Sequence, residues 1–147
     1  MGKLKRNTRV WVDRQLIGSP AFLELTGKAP QVLLAFLSKR QFARIPKGSS
    51  RKKEWELINN KQIVFTYEDA ESEYGVGNKT FSRAIDQLIS HGFIDIARVG
   101  IGIGGYPTLY SISERWRKYG QPDFDIGKRV KREAHRFPKG SANPGAR

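Results

Sequence analysis

The apolar residues of this 147-residue chain gather into two stripes of helical period, and the polar punctuation around them sets the expected architecture. Phe81, Ala84, Ile85, Leu88 and Ile89 recur at i, i+3, i+4, i+7 and i+8, the face of an amphipathic helix, and Gly92 follows as its stop. Ala29, Val32, Leu33, Phe36 and Leu37 repeat that spacing over residues 28 to about 41, with Pro30 tolerable because it falls in the first turn. Two helices with matching stripes are natural packing partners. Ahead of the 81–89 stripe, Thr66 and Asp69 form a T-x-x-D helix start, where hydroxyl and acid can satisfy orphan N–H groups at the positive end of the dipole. Gly75-Val76-Gly77 then supplies the freedom a sharp corner needs. Residues 66–91 therefore read as two short helices joined by a tight turn.

The flanks complete the pattern. Trp11, Val12, Leu16 and Ile17 make an apolar lead-in, and Ser19-Pro20 opens a short helix through residue 25. Ile63-Val64-Phe65 is a short strand running into the Thr66 cap. Beyond Gly92 the period changes to two. Residues 93–99, the glycine-rich 100–105 and residues 108–112 predict a β-hairpin, with Ile94 and Ile96 facing Tyr110 and Ile112. Ser113 starts a final short helix through Tyr119, stopped by Gly120 and Pro122, and places Trp116 over the hairpin as core. The expected class is α+β, a small helical bundle with an antiparallel hairpin. Its element order is that of a winged helix-turn-helix, whose second motif helix enters the DNA major groove.

Charge sharpens this picture. Lys and Arg outnumber Asp and Glu by 27 to 14, a net charge of +13, which favours a polyanionic partner through counterion release. The excess is concentrated. Residues 1–14 carry five basic groups against one acid, residues 39–53 seven against none, and residues 121–147 seven against three. The sequence accordingly divides into a flexible basic N-terminal arm (1–14), a folded domain (15–120) containing a basic loop (39–53), and a basic tail (121–147) expected to be disordered. The 66–90 motif is itself acidic, with five acids against Lys79 and Arg83. With no cysteine there is neither disulfide nor thiolate metal site, and with no long apolar run neither a membrane partner nor a membrane span is expected. The N-terminus lacks the apolar centre of a signal peptide, so the expected location is cytoplasmic.

The segment from about residue 11 to 124 resembles small bacterial winged-helix proteins of plasmids, phages and other mobile elements, including replication-initiator-like and regulator-like forms. The residues that carry the resemblance are Ser19-Pro20-Ala21-Phe22-Leu23, Thr80-Phe81 with Leu88, Gly92-Phe93-Ile94, and Leu109-Tyr110 with Ser113 and Trp116. It implies that Gly77, Asn78, Lys79, Thr80, Ser82, Arg83 and Asp86 or Gln87 lie on or near the groove-facing side. Two features depart from the pattern: the first motif helix carries Glu68, Asp69, Glu71 and Glu73, and the hairpin tip has Ile101 and Ile103 but no Lys or Arg.

The candidate DNA-binding set of the recognition helix is Asn78, Lys79, Thr80, Ser82, Arg83 and Gln87. Arg83 can pair bidentately with guanine, and Asn78 either pairs with adenine or caps the helix. Lys79 and Thr80 sit where helix N-termini meet phosphate. Asp86 would repel phosphate and is read as an intramolecular partner. Candidate phosphate contacts come from the loop and arms: Lys47, Arg51, Lys52, Lys53, Lys128, Arg129, Lys131 and Arg132. Trp11, Trp55, Trp116 and Tyr119 raise base stacking as a further option.

Enzymatic motifs fail on context. Residues 100–105 match G-x-G-x-x-G, yet Pro107 and an alternating strand follow where a dinucleotide site needs a helix. In Gly75-Val76-Gly77-Asn78-Lys79-Thr80, Asn78 stands where a phosphate loop requires glycine before lysine. His91 and His135 have no surrounding ligand set, so no metal, cofactor or catalytic activity is expected. The expected function is sequence-specific duplex-DNA binding as a transcriptional regulator, with double-stranded DNA as partner and a homodimer as an open option. A plasmid- or phage-type replication or partition factor is the alternative, and an RNA-binding basic protein or a protein-interaction winged helix stand behind it.

Overall fold

The computed structural model describes residues 9–46, 53–101, 105–127 and 129. Three short helices lead. Asp13 caps α1 (Arg14–Ile17) by accepting the Gln15 N–H at 2.9 Å, and Ser19 caps α2 (Pro20–Leu23) by accepting that of Phe22 at 3.2 Å. Proline at the first position of α2 loses no helical hydrogen bond. Helix α3 (Ala29–Ser38) buries Val32, Leu33, Phe36 and Leu37, the predicted stripe. It ends three residues before the expected boundary at 41 because the chain turns into a strand.

That strand corrects the basic loop. Residues Phe42–Pro46 form β1, paired antiparallel with β2 (Lys53–Leu57) in the register Phe42↔Leu57, Arg44↔Trp55, Pro46↔Lys53. A ribbon with no fully buried face carries little hydrophobic signature, which is why its composition reads as loop.

Strand β3 (Ile63–Val64) runs into α4 (Tyr67–Tyr74), where Thr66 and Asp69 close the predicted capping box. Gly75 ends α4 at φ 67, the left-handed corner that lets the chain reverse into α5 (Asn78–Ser90). Gly77 holds the N-cap position of α5, so Asn78 is the first helical residue and its side chain does not cap. At the far end the Phe93 N–H donates to Leu88 at 2.9 Å and that of Gly92 to Ile89 at 3.1 Å, a Schellman closure on a glycine at φ 88.

Strands β4 (Ile94–Arg98) and β5 (Leu109–Ile112) form the expected hairpin, with Ile94↔Ile112 and Ile96↔Tyr110 in register. Strand β3 adds to the other side of β5 through Ile63↔Tyr110, giving a three-stranded antiparallel sheet of order β3-β5-β4. The last predicted helix is a single 3-10 turn, Arg115–Lys118. The chain is thus mixed α+β. Its core is one cluster, in which Phe65 packs edge-on to Phe36 and tilted against Phe81 at centroid distances of 4.9 and 4.8 Å, and Tyr110 meets Phe36 at 5.0 Å. Trp116 is 5% exposed and stacks on Phe93, as its position after the hairpin led us to expect.

The folded part reaches further at both ends than the sequence suggested. At the N-terminal side, Asp13 pairs with Arg117 at 3.1 Å and the Trp11 carbonyl accepts from Arg40, so residues 11–14 belong to the fold. At the C-terminal side, Arg115 donates to the Asp125 carbonyl at 2.6 Å, Lys118 pairs with Asp123, and Phe124 packs edge-on against Tyr119. Residues 121–127 therefore lie against the domain and do not start a detached tail. The same Arg115 guanidinium, mostly buried, reaches Ile89 O, Ile94 O and the Asp95 carboxylate, tying α5, β4 and the C-terminal segment together.

Candidate nucleic-acid interface

Helix α5 divides into two faces. Phe81, Ala84, Ile85, Leu88 and Ile89 are all buried against the core, which fixes the helix's rotation. The opposite side of its first two turns presents Lys79 and Arg83, while Asn78 and Thr80 stand exposed at its N-terminal end. Lys79 and Arg83 stand one turn apart and form no ion pair among the described residues, so both cations are available to a ligand. The amide N–H groups of the first turn add a positive dipole end without a side-chain cap to quench it.

Three other candidates are held within the fold. The Gln87 amide is locked to Thr26: its oxygen accepts the Thr26 N–H at 3.0 Å and its nitrogen donates to the Thr26 carbonyl at 3.3 Å. It joins α5 to the turn before α3 and leaves no donor–acceptor pair for a base edge. Ser82 accepts from Arg129 at 2.7 Å. Arg129, expected to reach phosphate from a free arm, instead donates to the Tyr67 hydroxyl at 2.6 Å and lies 3.7 Å from Asp86. Burial works against the charge of Arg129, but Tyr67, Tyr110 and Asp86 raise its pKa above the ordinary value. Asp86 is thereby the intramolecular partner that its sign suggested. The chain's return across α4 and α5 at Arg129 had no local signal, since its partners lie 47 and 62 residues away.

Of the remaining phosphate candidates, Lys53 belongs to β2, and Lys47, Arg51, Lys52, Lys128, Lys131 and Arg132 lie outside the described residues. The acids of α4 are partly accounted for, because Asp69 is spent on the capping box, accepting from the Thr66 N–H. Glu68, Glu71 and Glu73 remain exposed. The hairpin has one cation that the tip composition concealed: Arg98, exposed on β4, lies 5.1 Å from the Tyr106 ring centroid and donates to the Pro107 carbonyl. Two further exposed or half-exposed cations, Arg40 and Arg44, stand beside aromatic rings at the root and middle of the β1–β2 ribbon. They fell within the 39–53 charge block, and only the strand register reveals their neighbours.

Among the described residues no group of His, Cys, Asp and Glu is arranged to hold a metal ion. No helix among them is long and apolar enough to cross a membrane. Compared with protein-family models, curated proteins and solved structures, the chain gives no match.

Proposed function

We propose that the chain binds duplex DNA sequence-specifically as a winged helix-turn-helix, with α4 and α5 as the motif, α5 as the recognition helix and the β4–β5 hairpin as the wing. The observation that carries this reading is the set Asn78, Lys79, Thr80 and Arg83, exposed at the start of a helix whose apolar stripe is fixed in the core, with Lys79 and Arg83 opposite that stripe and in no ion pair among the described residues. Lys79 and Thr80 meet phosphate at the helix N-terminus, while Arg83, one turn inward, reaches a base edge. Gln87 is left out of the reading set, its amide being held by Thr26. The net charge of +13 supplies attraction that is independent of sequence. The role we favour is a transcriptional regulator; a replication or partition factor would use the same contact.

Selection of bound sequences from random duplex DNA tests the reading directly, and a recovered palindrome would indicate a homodimer. Arg83→Ala is expected to cost about 1–3 kcal/mol on the preferred site and to relax discrimination at one base pair. Equal losses on preferred and scrambled duplexes would remove Arg83 from base readout. Gln87→Ala serves as the control: it should lower thermal stability by about 1 kcal/mol for its lost hydrogen bonds and leave discrimination intact.

A further inference from the structure

One face of the β1–β2 ribbon, together with its root, sets aromatic rings beside two guanidinium groups, those of Arg40 and Arg44. Side chains alternate across a strand, so the register Phe42↔Leu57, Arg44↔Trp55 sets these four on one side and Ala43, Ile45, Glu54 and Glu56 on the other. Arg44 lies over the Trp55 ring at 5.4 Å, and at the root of the ribbon Arg40 lies near both Phe42 at 5.3 Å and Trp11 at 5.7 Å. The two tryptophans are 64% and 67% exposed. The ribbon packs chiefly on itself. It is pinned to the end of α3 by Asn59, which accepts the Gln41 N–H at 2.8 Å and donates to the Lys39 carbonyl at 2.9 Å. A lone two-stranded ribbon is marginal in water, and an exposed Trp55 adds nothing to the core. The arrangement is therefore poorly explained by folding.

We propose that this face, running from Trp11 and Arg40 to Arg44 and Trp55, is a second nucleic-acid site that takes the unpaired bases of a single strand. Flat indole and phenyl rings stack on bases of any sequence, and guanidinium groups serve both as cation–π partners and as phosphate ligands. The charge is complementary: Arg40 and Arg44 line this face, and Glu54 and Glu56 fall on the opposite one. A duplex offers the same phosphates but hides its base faces, so the aromatic half of this surface is useful only on unpaired nucleotides. The site is separate from α5 and does not depend on the duplex-binding reading.

The test uses the full chain, a mixed-sequence DNA single strand of about 12 nucleotides, within the range of known single-strand site sizes, and an abasic strand with equal phosphate count. Of the three tryptophans, Trp116 is buried and gives a constant background, so emission reports on Trp11 and Trp55. The base-bearing strand should quench that emission. Trp55→Ala should weaken single-strand binding about five- to a hundredfold while binding of the abasic strand and of duplex is unchanged. Trp55→Phe, which keeps a stacking face, should retain most of the affinity. Arg83→Ala should have no effect on the single strand; if it also has none on any duplex, the α5 reading falls while the ribbon site stands. Equal single-strand affinity of Trp55→Ala and the unaltered chain would overturn the proposal. So would abasic binding as tight as base-bearing binding, or a dimer in sedimentation that Trp55→Ala dissolves with no change toward the single strand.

Discussion

Tyr110 occupies the centre of the sheet, 4% exposed and edge-on to Phe36, and burial pushes its phenol up from 10.0 to about 12. Between those two values the unfolded chain has released a proton that the native chain retains. Stability is therefore complete below about pH 10 and declines as pH climbs towards 12, by up to roughly 2–3 kcal/mol. Thermal melts across that window should show the decline, and Tyr110→Phe should remove its steepest part; an identical slope in the variant would place the titration elsewhere. Arg115 is the other residue on which much converges. Arg115→Lys keeps the charge but cannot reach Asp95, Ile89, Ile94 and Asp125 together, so a loss of about 2–3 kcal/mol is expected in denaturant unfolding. The exposure of Arg83 was legible in the sequence because position on a helical wheel follows from the stripe. The commitments of Gln87 and Arg129 were not, because a side-chain hydrogen bond to a residue 61 or 62 positions away leaves no trace in local pattern.

Helices with a strong stripe and chemically marked ends were read with little error: α4 starts at its capping box and turns at Gly75, and α5 closes at Gly92. The Gly92 closure is testable. A Cβ there would stand 2.5 Å from the Trp116 backbone nitrogen, and φ is 88, so neither space nor backbone accepts a side chain. Gly92→Ala should cost more than about 1 kcal/mol, read as a lower melting temperature. The same change at Gly77, where φ is −70 and nothing lies within 4 Å, should be far milder. The β1–β2 ribbon escaped the sequence reading for a physical reason. Neither face is buried, so no strict apolar–polar alternation is imposed on residues 42–57, and charge dominated the impression. The period-two run Glu54-Trp55-Glu56-Leu57 was the one signal present.

Across the whole molecule, the charge blocks set a salt response while the folded ends set where the chain can be cut. If about six phosphates are neutralised, duplex affinity should fall roughly a thousandfold between 50 and 200 mM salt, and a flat anisotropy titration would count against any nucleic-acid role. Deleting residues 130–147 should preserve a cooperative thermal transition. Deleting residues 121–147 removes the Asp125 carbonyl and the Phe124 ring from their places and should lower the melting temperature measurably. The Asp13–Arg117 pair has a further consequence, one of timing. It joins positions 104 residues apart, and α1 is held down from the far end of the domain. At about 5–20 residues per second, a ribosome needs on the order of 5–20 s to make that intervening stretch. For that interval the first helix of a nascent chain can lean only on its near neighbours, α2 and the Trp11–Arg40 contact, and the far half of its hold arrives with Arg117.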